Sequence, residues 1–157
     1  MTAVDTRLDR LAIATGFAAA PEQWVVAPRF DPVDRWYHRL HIADDHEAWL
    51  LTWLPGQGTE WHDHGGSAGA FAVVHGALTE RTVAERRGGG VADDEALLSA
   101  GRVRPFGPHH VHRVTNVGVH PAVSVHVYTP RLTVMHTYRL AGSGLQRTGT
   151  ERAGVDW

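Results

Sequence analysis

Apolar residues at helical spacing are confined to the start of the chain. Leu8, Leu11, Ala12 and Phe17 fall on one face of a helix over 5–20, which Ala19-Ala20-Pro21 closes. Beyond Trp24 the pattern changes to short runs of Val, Leu, Trp, Tyr and Thr separated by Gly- or Pro-bearing turns, the mark of β structure. Strands are predicted near 35–43, 47–54, 59–64, 70–75, 77–85, 95–99, 110–117, 121–128 and 132–140. Turn signals between them include Pro55-Gly56, Gly65-Gly66, Gly76, Gly88-Gly89-Gly90, Gly101, Gly107-Pro108 and Gly118. That many strands in one domain form a sandwich or a barrel. The tail over 141–157 has little to bury and is expected to be mobile. No internal repeat interrupts this order.

Composition narrows the picture. The 157 residues suffice for one domain, 1–157, with a barrel over about 25–140. With 20 % charged residues and a net charge of −2, the chain reads as an ordinary globular protein with no call for nucleic acid. No apolar run approaches the roughly 18 residues of a membrane span. Leu11 to Ala20 is a poor secretory segment, because it follows mixed charges and contains Thr15 and Gly16. A cytoplasmic location is therefore expected. The chain has no cysteine, which excludes disulfides and thiolate chemistry. All 15 basic residues are arginines, so lysine Schiff bases are excluded too. Twelve histidines remain, a rich supply of metal ligands in so short a chain.

Two of them stand in Trp61-His62-Asp63-His64. Residues i and i+2 of a strand share a face, so both imidazoles project together from backbone positions roughly 6–7 Å apart. Alone, such a pair is weak. Here Gly56 precedes His62 by six positions, Gly76 follows, and His112-Arg113-Val114-Thr115-Asn116 comes later, after Pro105-Phe106-Gly107. Asn116 is the only asparagine in the chain. This spacing resembles the two sequence motifs of the cupins, which implies a jelly-roll β-barrel, all-β apart from the short N-terminal helix. His62, His64 and His112 would then be the metal ligands. Gly69 stands where most cupins carry a ligating glutamate, leaving three neutral histidines. A metal so held keeps its dipositive charge and favours an anionic ligand such as a thiolate.

Three-histidine cupins of this kind are the cysteine dioxygenases, and 35–140 resembles that family beyond the ligands. The segment Pro121 to Tyr128 is similar to the strand after the third ligand, and Tyr37-His38-Arg39 is similar to the substrate-binding strand. The resemblance implies Fe(II) as the cofactor, with O₂ and a small thiol, L-cysteine first, as the reactants. The product would be cysteine sulfinic acid. No membrane partner is implied, and the protein would be a monomer or small homo-oligomer. Ser124, His126 and Tyr128 alternate along one strand face. By themselves they are equally read as polar residues on a solvent face. The resemblance points them at the metal, with His126 orienting the Tyr128 hydroxyl. It likewise makes Arg39, beside Tyr37, the clamp for a substrate carboxylate. Gly69 also replaces the cysteine that cross-links to the tyrosine in animal members, so Tyr128 is an unmodified phenol, as in the bacterial branch. Alternatives are another carboxylated thiol such as 3-mercaptopropionate, or a cupin that binds metal or ligand without catalysis. Glu60 is a candidate fourth ligand or hydrogen-bond acceptor, and Asp63 points away. His109 and His110 are expected in a loop, His136 inward near the metal, and Trp36, Trp49, Trp53 and Trp61 in the core or rim.

Overall fold

The computed structural model describes residues 9–157. The first residues of the expected helix therefore lie outside the described part. Helix α1 (Arg10–Ala19) begins at Asp9, whose carboxylate accepts the Ala12 N–H at 3.1 Å, a side-chain N-cap. It ends before Pro21, which disfavours a helical residue ahead of it.

Eleven strands follow: β1 (Tyr37–Ile42), β2 (Glu47–Trp53), β3 (Trp61–His62), β4 (Ala68–His75), β5 (Ala77–Glu85), β6 (Val91–Ser99), β7 (Val103–Phe106), β8 (Val111–Thr115), β9 (Ala122–Thr129), β10 (Val134–Ala141) and β11 (Gly144–Arg152). They pair antiparallel into two sheets, one in the order β1-β2-β9-β4-β7 and the other β11-β10-β3-β8-β5-β6. This is the all-β cupin barrel expected from the sequence, with one short helix.

Three expectations need revision. β6 starts at Val91 rather than 95, β7 is absent from the predicted strands, and the tail is not bare. Its residues 144–152 form β11 along the whole of β10. All three segments are edge strands. Pro105 in β7, Asp93-Asp94-Glu95 in β6 and the polar run of β11 carry residues that edges tolerate and that an apolar-alternation reading passes over. Arg81 of β5 pairs with Asp93 and Glu95 across the β5–β6 ladder.

The first sheet is buried on both faces. Inside, Leu51, Trp53, Phe71, Val73, Phe106 and Tyr128 pack with Leu78, Leu98 and Val114 of the second sheet. Outside, α1 lies against Ala48, Ala70, Ala72 and Val127 through Ala14, Ile13, Phe17 and Ala18. These alanines let helix and sheet approach closely. Leu40, Leu50, Val123 and Val125 are covered by Phe17, Trp24, Val26 and Trp36. The alternation of β9 is thus resolved: its valines face the helix side, and Ser124, His126 and Tyr128 face the barrel interior. Among the described residues no helix is long and apolar enough to cross a membrane.

Candidate metal centre

His62 and His112 sit directly opposite each other across the β3–β8 pair. In an antiparallel ladder such partners have Cβ atoms about 4.5–5.5 Å apart, so a sequence separation of fifty residues closes to one site. His64 lies just beyond β3, in a turn made by Gly65 (φ 58°) and Gly66 (φ 94°), a left-handed pair that glycine adopts without strain. The three ring centroids are 4.7–5.0 Å apart, and each residue offers one nitrogen within 4.8 Å of the others.

All three rings are held neutral. Burial and the neighbouring His112 take His62 down to about 3. Burial with the other histidines lowers His64 well below the ordinary value, and burial lowers His112 against the opposing pull of Glu80. His62 Nδ1 donates to the Glu60 carbonyl at 2.8 Å, and His112 Nδ1 lies 2.7 Å from Glu80 Oε2. His64 Nδ1 is buried without a hydrogen-bond partner among the described residues. Three neutral imidazoles, one with an orphaned nitrogen, converge as a divalent metal requires.

A fourth, acidic ligand has no room on β4. A Cβ placed on Gly69 would stand 2.1 Å from the Val127 carbonyl oxygen and 2.6 Å from Phe106 Cζ. The Phe106 ring, stacked on His64 with centroids 4.6 Å apart, fills that volume. The same clash bars a cysteine beside Tyr128. Glu60 contributes its backbone carbonyl, not its carboxylate, to His62.

The centre opens into a cavity of about 430 Å³. His126 and Tyr128 line it. Trp53 Nε1 donates to Ser124 Oγ at 2.8 Å, and Ser124 Oγ lies 2.8 Å from His126 Nε2. The hydroxyl thus links Trp53 to His126, whose value burial holds well below normal. His126 also stacks on Phe71 at 5.0 Å. Among the described residues no hydrogen bond joins His126 to Tyr128; their rings are 6.4 Å apart. His126 is thus fixed by Ser124 and Trp53 rather than holding Tyr128. Burial raises Tyr128 above the ordinary phenol value, so its hydroxyl keeps its proton.

Arg39 needs correcting. It does not line the cavity. Its guanidinium lies 3.7 Å from Glu47, a buried carboxylate that also accepts the Leu132 N–H at 2.9 Å. Arg35, four positions earlier, lines the cavity instead, 4.7 Å over the Trp53 ring. Burial lowers the Arg35 value, opposed by Tyr128, Tyr37 and Glu151. Arg35 stands just before β1, outside the Tyr37-His38-Arg39 motif, so motif matching passed over it. Tyr37 lines the cavity, half-exposed. His136 is not inward. Met135 and Thr137 line the cavity, while the alternate His136 meets Thr150 of β11 at 3.1 Å. Asp63 accepts from Gly65 N–H, His136 N–H and the Tyr138 hydroxyl, a structural role as expected. The sequence reading also missed Trp157, Glu151 and Asp156, which reach the cavity wall from the tail.

Fold and site define a cupin with three histidines grouped as a candidate metal site. Residues 3–140 match the family model of cysteine dioxygenase type I, and the chain belongs to that family, a family of dioxygenases. Among solved structures, the TT1209 protein of Thermus thermophilus is 25 % identical with a TM-score of 0.56, over 66 % of this chain and 90 % of that one. An uncharacterized conserved protein with a double-stranded β-helix domain from Klebsiella pneumoniae is 22 % identical with a TM-score of 0.51, over 76 % and 90 %. A cupin 2 conserved barrel domain protein from Leptotrichia buccalis is 11 % identical with a TM-score of 0.51, over 65 % and 44 %. No curated protein matches the chain in sequence.

Proposed function

We propose that this protein is an iron(II)-dependent thiol dioxygenase that converts L-cysteine and O₂ to cysteine sulfinic acid. The observation that carries the reading is the set of three neutral imidazoles with no space for an acidic side chain at position 69, at the wall of a cavity that also presents a guanidinium. In the balanced reaction the S–H bond and the O–O bond break. Both oxygen atoms join sulfur, and the sulfur supplies the four electrons that reduce O₂.

His62, His64 and His112 would hold the metal. When bound, it supplies an undiminished dipositive charge that accepts a thiolate and a redox couple suited to O₂. Arg35 takes the substrate carboxylate through a charge-assisted pair, in the place expected of Arg39. Glu151 and Asp156 on the same wall offer counter-charges for an ammonium group, which favours cysteine over 3-mercaptopropionate. Anchoring the substrate away from its sulfur leaves the sulfur one position to occupy, the positional gain that accounts for much of catalysis. Tyr128 keeps a proton at its phenol oxygen and can donate it as a hydrogen bond to substrate or oxygen. Leu51, Val114, Leu132 and Met135 supply apolar wall that limits water.

The test is an oxygen electrode with iron-loaded protein and a small panel of thiols. Cysteine should support O₂ uptake with stoichiometric sulfinate, and kcat/KM for cysteine should exceed that for 3-mercaptopropionate. Uptake with 3-mercaptopropionate alone would overturn the substrate. Absence of uptake with every thiol, in protein that demonstrably holds iron, would overturn the activity.

A further inference from the structure

The three imidazoles differ in what stands behind them. His62 has a neutral carbonyl, His64 Nδ1 has no hydrogen-bond partner among the described residues, and His112 has the carboxylate of Glu80 at 2.7 Å. Glu80 belongs to β5 and is 1 % exposed, so its charge must be met by protein. Two further cations or donors meet it. Arg104 Nε of β7 lies 2.7 Å from Oε1, an ion pair whose angle departs from a hydrogen bond, and His110 Nε2 lies 3.2 Å from Oε2. A carboxylate placed this way accepts a hydrogen bond from Nδ1–H of His112, which keeps the proton on Nδ1 and leaves Nε2 as the only lone pair the ring can offer a metal.

We propose that Glu80 is a positioning residue of the metal centre: it fixes the tautomer and ring direction of His112 and strengthens that ring as a donor. Gly69 and Phe106 close the place of an acidic ligand beside the ion, and Glu80 supplies the negative charge one imidazole away. The centre then has graded ligands, with His112 the strongest. Arg104, at 2.7 Å, keeps Glu80 facing His112, and the longer 3.2 Å contact from His110 is dispensable to it. Among the described residues Glu80, His110 and His112 also form a second close group of ligand atoms, so the experiment must separate support of one site from a different site. The inference rests on the metal half of the proposed function and not on its substrate.

The test uses the metal-free full chain titrated with cobalt(II) against a competing chelator, with the visible bands of the bound cobalt recorded. Glu80→Gln should weaken cobalt binding by about ten- to a hundredfold and shift those bands, while His110→Asn stays within about threefold of the parent. A Glu80→Gln barrel with parental affinity and bands overturns the proposal. So does a His110→Asn loss as large as that of Glu80→Gln, which would put the ion in the second group. Should Glu80→Gln not fold, nitrogen-15 NMR of the zinc-loaded parent decides. A proton resident on His112 Nδ1 and exchanging slowly supports the proposal, and a bare Nδ1 overturns it. None of these readouts involves O₂ or thiol, so a failed substrate assignment leaves them untouched.

Discussion

At the scale of the residue, Arg39, the arginine expected in the cavity, lies outside it, and Arg35, four positions earlier, lines it. Arg39 sits where the family motif predicts a clamp, yet it serves the buried carboxylate of Glu47. Arg35 stands in the cavity against Trp53. Replacing Arg35 with Gln should raise KM for cysteine about ten- to a hundredfold, the equivalent of one charged hydrogen bond of about 1.5–3 kcal/mol. Arg39→Gln should leave KM within about threefold and lower thermal stability instead, because it strips the cation from a buried carboxylate. Steady-state kinetics and melting curves on the two variants check this, and the reverse pattern would restore Arg39 as the clamp. Gly69 makes a related point. Its identity is legible in sequence as a missing ligand, but the reason it is glycine is the Val127 carbonyl and the Phe106 ring, which no motif reveals.

At the scale of the element, the strands β2, β4 and β9 were readable because alternation or continuous burial leaves a plain pattern. The edge strands β6, β7 and β11 were shortened or missed, since an edge bears charges and proline that resemble loop. For β11 the miss had a functional consequence. The strand and the residues after it carry Glu151, Asp156 and Trp157 to the cavity, and Trp157 packs edge-on against Trp49 with centroids 5.8 Å apart. Trp157→Ala removes that wall. It should raise KM for cysteine by about two- to tenfold, in line with about 0.5–1.5 kcal/mol for an aromatic pair, and leave cobalt affinity unchanged. A fall in metal affinity instead would mean that the tail supports the centre and not the substrate.

At the scale of the molecule, the three-histidine group joins two elements of the second sheet, β3 and β8, with the turn after β3. A metal that binds only the folded barrel must therefore stabilise it as a whole. At a hundred times its dissociation constant it contributes about 2.7 kcal/mol, which for this size raises the melting temperature by about 5–10 °C. Adding chelator should reverse the gain, and His62→Ala should abolish it while leaving the metal-free melting point within a few degrees. A melting temperature indifferent to metal in the parent would deny the centre. The chain sequence alone determined the β class and singled out His62, His64 and His112 as candidate ligands, because periodicity and motif spacing are local and survive in one dimension, while the inward face of β9 came only from family resemblance and the fold. Which arginine enters the cavity, what replaces the acidic ligand, which carboxylate backs His112 and what the tail covers were decided only by the tertiary structure. Those depend on register between distant strands and on the depth of each side chain in the barrel, and neither quantity is written in the spacing of residues along the chain.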